Sequence, residues 1–227
     1  RQASNLLHPL EPPRAPGRTG SIHFDSEGIL MKRFVLNRVL AAVALSAAVA
    51  LPAQAGYVDF EDASPTIFAG TSESSGGFSF ASSGTGFSGI DSATGFALGN
   101  APANISGQFL FGLNTDGLTM TADGGGVFEV FGFDFSFVAP LPSLGAGLSA
   151  GQLHIEAMMA GGSLFMDDFD FGLSDTNGNW NFSSVTTGAL ASGVTSVSFS
   201  ACVYDGNGGC SFTDQLAQFA IDNIHVP

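Results

Sequence analysis

Acidic and amide side chains cluster at the two ends of the region that we expect to fold. The segment VDFED supplies Asp59, Glu61 and Asp62, and the segment AIDN near the C-terminus supplies Asp222 and Asn223. Such hard oxygen donors are the ligands that Ca²⁺ prefers. Terminal strands of jelly-roll sandwiches often lie side by side. We therefore expect these five residues to meet in a structural calcium site, and no other cofactor is expected.

Carboxylates and histidines elsewhere do not combine into a convincing catalytic group. Asp168 and Asp170 fall on one face of an acidic strand, and paired carboxylates can hydrolyse glycosidic bonds. An exposed acidic strand face is the simpler explanation. His154 is expected to face solvent beside Glu156, and His225 to be exposed near the C-terminus. With no clear acid, base and nucleophile together, we predict that the protein is not an enzyme.

Two motifs resemble known signatures but fail their structural requirements. GLSAG at 147–151 matches the Gly-x-Ser-x-Gly pattern of serine hydrolases. That nucleophile needs a strand–turn–helix, whereas this copy lies in a Gly/Ser-rich loop. DTNGN at 175–179 resembles the start of an EF-hand loop, which requires Gly at its sixth position and Glu at its twelfth. Those positions hold Trp180 and Thr186, so a turn is favoured.

Aromatic residues that could bind a sugar are few. Flat amphipathic rings with an exposed face cover the apolar faces of sugars. After residue 55 the sequence offers only Trp180, Tyr57 and Tyr204 for such a role. A strong binding platform is therefore not expected, and we choose Trp180 as the candidate glycan contact.

The two cysteines, Cys202 and Cys210, could form a metal site, a redox pair or a disulfide. A metal site needs further His or Cys ligands nearby in sequence, and redox pairs are typically Cys-x-x-Cys at a helix start. A disulfide requires an oxidising compartment. The choice therefore depends on where the protein resides.

A secretory signal peptide at residues 31–55 answers that question. Basic residues Lys32, Arg33 and Arg38 precede an apolar run, which ends in Ala-Gln-Ala at 53–55. This is the small-x-small pattern that signal peptidase cleaves, and the apolar run is shorter than the roughly 20 residues that span a bilayer. We predict export across the inner membrane to the cell surface or medium, and hence a Cys202–Cys210 disulfide that stabilises the fold by about 2–3 kcal/mol.

Residues 1–30 are rich in Pro and Arg and show no hydrophobic periodicity. Such a segment cannot build a core. We expect a disordered, non-native extension translated from upstream sequence, with Met31 as the true start. Residues 56–227 then form a single domain.

The predicted mature part contains no cationic side chain. All Lys and Arg residues precede residue 56, as do three of the 20 acidic residues, which leaves 17 acidic residues and a formal charge of −17 for 56–227. Without cations a surface cannot neutralise phosphates or adhere to anionic lipids. We therefore exclude nucleic acids and anionic membranes as partners.

Alternation of Phe with small polar residues recurs through the same part. In VFEVFGFDFSFVAP, Phe131, Phe133, Phe135 and Phe137 alternate with Gly132, Asp134 and Ser136, whereas Phe128 and Val130 occupy the opposite phase. Period-2 patterns with Gly-rich turns are typical of β-strands, and the phase switch predicts a bulge near Gly132. No helical periodicity is present, so we predict an all-β, antiparallel, jelly-roll-like β-sandwich of about ten strands.

Three landmarks carry a resemblance to a family: VDFED after the signal, FDFSFVAPLP in mid-chain, and FSACVYDGNGGCSF followed by QFAIDNIHVP. They resemble the exported part of PEP-CTERM proteins, although the sequence stops where the Pro-Glu-Pro tail of that family begins. The resemblance implies association with bacterial exopolysaccharide. We thus expect an acidic, non-catalytic envelope or matrix protein whose partners are exopolysaccharide or other envelope components. The alternative is a carbohydrate-binding module with a defined glycan site, and a secreted hydrolase is the less favoured alternative.

Overall fold

Alternating Phe and small polar residues produce a fold made entirely of strands and loops. The computed structural model describes residues 56–142 and 144–226, and within them thirteen strands and no helix occur. Their bounds are Gly56–Val58 (β1), Thr66–Phe68 (β2), Ser72–Ser75 (β3), Phe78–Ser82 (β4), Phe87–Ser92 (β5), Gln108–Leu113 (β6), Leu118–Ala122 (β7), Phe128–Phe137 (β8), Gly151–Met159 (β9), Leu164–Asp170 (β10), Ser183–Tyr204 (β11), Cys210–Ser211 (β12) and Phe219–Val226 (β13).

The strands form two layers joined by the long strand β11. The first layer has the order β2-β5-β6-β13-β8-β11, with β1 beside β13, and the second has the order β3-β4-β7-β11-β9-β10. From Ser183 to Val194, β11 pairs with β8, and from Val194 to Val203 it pairs with β9. All pairs of these strands are antiparallel. The predicted jelly-roll-like β-sandwich is confirmed, with more strands than the ten expected.

Aromatic rings from the two layers meet in the core. Phe133 and Phe135 of β8 lie 5.7 and 5.9 Å from Phe199 and Phe169, ring centre to ring centre, and these partners belong to the second layer. Phe137 contacts Phe171 in the same way at 5.6 Å. Edge-to-face and tilted contacts at such distances add to the stabilisation from apolar burial. The Phe alternation of β8 therefore holds the two sheets together.

The first and last strands lie side by side, as expected. β1 pairs with the end of β13, so that Tyr57 lies opposite His225, while the first half of β13 pairs with β6. The sheet is also irregular beside the phase switch of β8. Between the pairs Asp222–Asp134 and His225–Gly132, β13 contains one residue more than β8. The irregularity lies at Gly132 as predicted, but the extra residue belongs to the neighbouring strand.

A second apolar cluster covers part of the outer face of the first layer. This outer cluster consists of Phe96, Phe109, Phe111, Leu113, Val138 and Ala220. Phe96 comes from the loop between β5 and β6, and its ring packs against those of Phe109 and Phe111 at 5.4 and 5.1 Å. The loop thus covers the β6 side of this face.

The predicted disulfide is present. Cys202 near the end of β11 is bonded to Cys210 of β12, with their Cα atoms 5.3 Å apart, and β12 pairs with Tyr204. The bond closes the short DGNGG loop at the end of β11.

The described residues belong to one compact unit. They include no helix long and apolar enough to cross a membrane. The predicted signal peptide at 31–55 and the extension at 1–30 lie outside the described residues.

Asp116 shows how this fold accommodates a buried carboxylate without a cation. Only 1% of its surface is exposed. Its oxygens accept hydrogen bonds from Ser82 Oγ at 2.7 Å, from the Gly84 amide at 2.7 Å and from Ser88 Oγ. Three donors thus replace water around one negative charge.

We predict that Asp116→Ala lowers the free energy of unfolding by about 3 kcal/mol, because the buried Ser88 hydroxyl, the half-buried Ser82 hydroxyl and the Gly84 amide lose their acceptor. Urea denaturation followed by circular dichroism measures the change. The exposed Asp123, which accepts only a long hydrogen bond from Ser74 at 3.4 Å, provides the control variant Asp123→Ala, with an expected change below about 0.5 kcal/mol. Equal losses in the two variants would contradict the role assigned to Asp116.

Candidate functional site

A row of outward-facing residues crosses four strands of the first layer. Tyr57 of β1 lies opposite His225 of β13, His225 opposite Gly132 of β8, and Gly132 opposite Thr186 of β11. Residues directly opposite on paired strands project from the same face of the sheet. Gly132 contributes no side chain, so the row contains a gap between His225 and Thr186. That gap is the floor of a surface pocket of about 440 Å³.

One wall of the pocket is aromatic. The Tyr57 and His225 rings are stacked, with centroids 4.7 Å apart and planes inclined by 16°. Phe131 contacts the other side of this pair, 5.5 Å from His225. Tyr57 is 62% exposed, which leaves much of its ring available to a ligand. The wall thus offers an apolar face of fixed orientation.

The pocket is polar along the adjacent row, in which Ser184, Asp134 and Asp222 lie opposite one another on three strands. Ser184 Oγ donates to Asp134 Oδ1 at 2.5 Å, and Asn223 Nδ2 donates to Asp134 Oδ2 at 2.8 Å. The same amide nitrogen lies 3.4 Å from Asp222 Oδ2. Asn223 occupies the irregular part of β13 with a φ of 50°, a conformation that Asn tolerates well. Its amide therefore bridges the two carboxylates.

Asp222 is an unusual acid. Burial, and after it the negative charges of Asp134, Asp59 and Glu61, raises its pKa from the ordinary 3.8 to about 7. Asp222 lies on β13, two residues after the outer-cluster residue Ala220. Like charges placed opposite one another on paired strands repel. The fold therefore favours the protonated form of this carboxyl group.

The predicted calcium ligands are only partly brought together. Asp59 and Glu61 follow β1 and lie close enough to Asp222 to raise its pKa. Glu61 Oε1 also accepts a hydrogen bond of 2.6 Å from the Gln108 amide at the start of β6. This contact connects the segment after β1 to the edge of β6.

Asp62 points to a different partner. Its carboxylate accepts hydrogen bonds from Ser75 Oγ at 2.5 Å and from the Gly76 amide at 3.0 Å, and these donors lower its pKa. Across residues 56–142 and 144–226, no three His, Cys, Asp or Glu side chains are grouped so as to hold a metal ion. The calcium site of Asp59, Glu61, Asp62, Asp222 and Asn223 stays a prediction, which the response of the melting midpoint to Ca²⁺ and EDTA tests.

The prediction that Trp180 contacts glycans is wrong. Only 1% of Trp180 is exposed. Its ring packs edge-to-face against Phe137 at 4.8 Å, and its Nε1 donates to the Gly172 carbonyl at 3.3 Å. A large ring with one polar atom is stable in the interior when that atom finds an acceptor. Trp180 therefore belongs to the core.

The acidic face of the β9–β10 hairpin forms as predicted. Asp168 and Asp170 project outward, and His154 lies opposite Asp168. Its Nδ1 is 2.6 Å from Asp168 Oδ1, and its Nε2 is 3.3 Å from Glu156 Oε1. His154 therefore contacts Asp168 of β10 as well as Glu156 of its own strand, β9.

The two signature-like motifs occur in loops. Ser149 of GLSAG lies between β8 and β9, and the described chain has no helix that could complete a nucleophile elbow. DTNGN forms a turn, as favoured from sequence. The Asp175 carboxylate accepts hydrogen bonds from the amides of Asn179 and Asn177 at 2.9 and 2.8 Å, which lower its pKa.

Most residues that line the pocket were not predicted from the sequence. His225 was expected to be exposed and is instead half-buried against Tyr57. Asp134 could have been noted from the alternation of β8, because it occupies the polar phase between buried Phe residues. No local signal reveals that Asp134 lies opposite Asp222, since that pairing joins residues 88 positions apart.

The chain is thus an antiparallel β-sandwich with an aromatic and acidic pocket on one outer face. No protein-family model and no curated protein matches it. It is similar to the structure of TmCBM61 in complex with β-1,4-galactotriose, with 12% identity and a TM-score of 0.36 over 65% of this chain and 87% of that chain. It is also similar to the enzymatically active domain of tailspike protein 4 from bacteriophage CBA120, with 10% identity and a TM-score of 0.31 over 66% of this chain and 19% of that chain. At these values neither likeness carries an argument about function.

The raised pKa of Asp222 predicts a specific pH dependence of stability. The unfolded chain ionises this group near pH 3.8 and the folded chain near pH 7, so the stabilisation present below pH 3.8 is lost as the pH rises towards 7. Asp222→Asn cannot ionise. We therefore expect the variant to gain stability relative to the unmodified protein between about pH 4 and pH 7, and the difference to level off above that range.

Denaturant unfolding at intervals across this pH range measures the difference. Asp214→Asn, which removes the same charge at an exposed position, is the matched control. A flat difference for Asp222→Asn would mean that Asp222 ionises normally in the folded protein.

Proposed function

We propose that this protein is an exported, non-catalytic glycan-binding protein of the cell envelope or extracellular matrix, and that it contacts polysaccharide through the Tyr57–His225 pocket. The proposal combines the matrix role and the carbohydrate-binding role that the sequence suggests. The stacked Tyr57–His225 pair beside Asp134 is the observation that carries it. The resemblance to PEP-CTERM proteins is consistent with an exopolysaccharide partner.

The chemistry of the pocket suits a sugar. Sugars present apolar C–H faces, which pack on aromatic rings, and hydroxyl groups, which need hydrogen-bond partners at fixed positions. Tyr57 supplies an exposed ring, while Asp134, Ser184, Thr186 and Asn223 supply acceptors and donors around the floor. A volume of about 440 Å³ is within the usual range for small-ligand sites.

Binding without hydrolysis is favoured by the position of Asn223. A glycosidase needs space for the sugar between its two carboxylates. Here the facing carboxylates are Asp134 and Asp222, and the Asn223 amide bridges them at 2.8 and 3.4 Å. Asp222, the residue with the raised pKa, is not among the residues that line the pocket.

The charge of residues 56–227 restricts the classes of molecule that can bind to them. Residues 56–227 contain no Lys or Arg, so they offer no cationic side chain that retains its charge at all physiological pH values. Phosphate-rich partners such as nucleic acids and anionic bilayers would be repelled. Glycans that are neutral or positively charged remain as suitable partners.

We predict that Tyr57→Ala lowers the affinity for a bound oligosaccharide by about tenfold or more, because loss of one stacking ring costs roughly 1–2 kcal/mol. Isothermal titration calorimetry with cello-, manno-, galacto- and glucosamine tetrasaccharides measures this. Tyr204→Ala removes a partly exposed tyrosine outside the pocket and should bind as the unmodified protein does.

Two results would contradict the proposal. One is the absence of binding to every oligosaccharide, and the other is an equal loss in the two tyrosine variants. Release of reducing ends during the titrations would contradict the non-catalytic part alone.

A further inference from the structure

We infer that the pocket selects polysaccharides that carry free amino groups, such as glucosamine units, over neutral and acidic polysaccharides. This inference rests on the proposed function, since it names the chemical class of glycan that the same site binds. It is carried by the arrangement of carboxylates at the pocket.

Two carboxylates are fixed opposite each other beside the aromatic wall. Asp134 and Asp222 are cross-strand partners, and Asp59 and Glu61 lie nearby. Asp134 lines the pocket and is held by Ser184 and Asn223, each of which donates to a different oxygen. Each carboxylate oxygen has two lone-pair sites, so Asp134 retains acceptor capacity towards a ligand. A rigid, negatively charged acceptor is therefore presented to the pocket.

Residues 56–227 supply no permanent cation to balance this charge. Residues 56–227 contain 17 carboxylates and no Lys or Arg. Among the residues that line the pocket, only His225 could carry a positive charge, and its ring is stacked on Tyr57. The negative potential at Asp134 is therefore balanced best by a positive charge on the ligand.

An ammonium group meets these conditions better than a metal ion. Ca²⁺ requires six to eight oxygen ligands, and the described residues hold no group of three metal-ligating side chains. An ammonium group needs only about three acceptors, which the Asp134 carboxylate and the hydroxyls of Ser184 and Thr186 can provide. The exposed face of Tyr57 adds a cation–π contact for an ammonium group close to the ring.

The same arrangement disfavours the other two classes of glycan. A uronic acid would place a further carboxylate beside Asp134, and like charges in a partly buried site cost several kcal/mol. An N-acetylated or neutral sugar keeps the stacking on Tyr57 but loses the charge-assisted hydrogen bond, which is roughly twice as strong as a neutral one.

The test compares two ligands that differ only in acetylation. Isothermal titration calorimetry at about pH 6 measures the affinity for the β-1,4-linked glucosamine tetrasaccharide and for its fully N-acetylated form. We expect the free amine to bind about tenfold more tightly, a difference of about 1.4 kcal/mol. Oligogalacturonate of the same length should show no binding.

Two variants distinguish a preference for free amines that Asp134 creates from a general attraction of amino sugars to an acidic protein. Asp134→Asn should remove most of the preference for the free amine. Asp168→Asn makes the same change of charge on the β9–β10 hairpin and should leave the preference intact. Circular dichroism and melting curves establish that both variants are folded, and residual binding of the acetylated tetrasaccharide by Asp134→Asn shows that its pocket persists.

Each outcome has a defined meaning. Equal or tighter binding of the acetylated form overturns the amino-sugar preference and leaves glycan binding by the pocket standing. Equal effects of the Asp134 and Asp168 variants assign the preference to overall charge and also overturn it. Failure of every tetrasaccharide to bind contradicts the proposed function itself, and the preference with it.

Discussion

Hydrogen-bond donors, rather than Lys or Arg side chains, surround the buried carboxylate of this fold and several exposed ones. Residues 56–227 hold 17 acidic side chains and no Lys or Arg, so no Lys–carboxylate or Arg–carboxylate ion pair can form there. Asp116 illustrates the solution, because hydroxyls and a backbone amide surround its buried carboxylate. Asp62 and Asp175 accept hydrogen bonds from backbone amides of turns. The abundance of Ser, Gly and Asn around strand ends thus has an electrostatic purpose as well as a conformational one.

Two carboxylates share a hydrogen-bond donor beside the pocket. Asp134 and Asp222 face each other across β8 and β13, with one Asn223 amide shared between them. Burial of Asp222 raises the cost of a charge on its carboxyl group. The same face of the sheet contains the gap at Gly132. The site therefore combines two facing carboxyl groups, one of which has a raised pKa, with an exposed aromatic ring. Such a combination is typical of binding sites rather than of purely structural surfaces.

Many features of the fold could be predicted from patterns of residues that are close together in the sequence. The Phe alternation of β8 predicted a strand with one buried face, and its phase switch located an irregularity beside Gly132. The β9–β10 hairpin with outward-facing Asp168 and Asp170, and the Cys202–Cys210 disulfide, were also predictable, since each depends on neighbours close in sequence. Trp180 was mistaken for a surface residue, because rarity of a residue type does not indicate whether neighbouring segments will cover it.

The sequence by itself determined an acidic domain without cationic side chains, its β class, its disulfide and the orientation of residues along each strand, because composition and two-residue periodicity act over a few neighbouring positions. Only the tertiary structure decided that Tyr57 stacks on His225 and that Asp134 faces Asp222. It also decided that Gly132 leaves a gap between His225 and Thr186 of β11. These contacts depend on the register between strands far apart in the chain. A shift of one residue would place each of these side chains on the opposite face of the sheet.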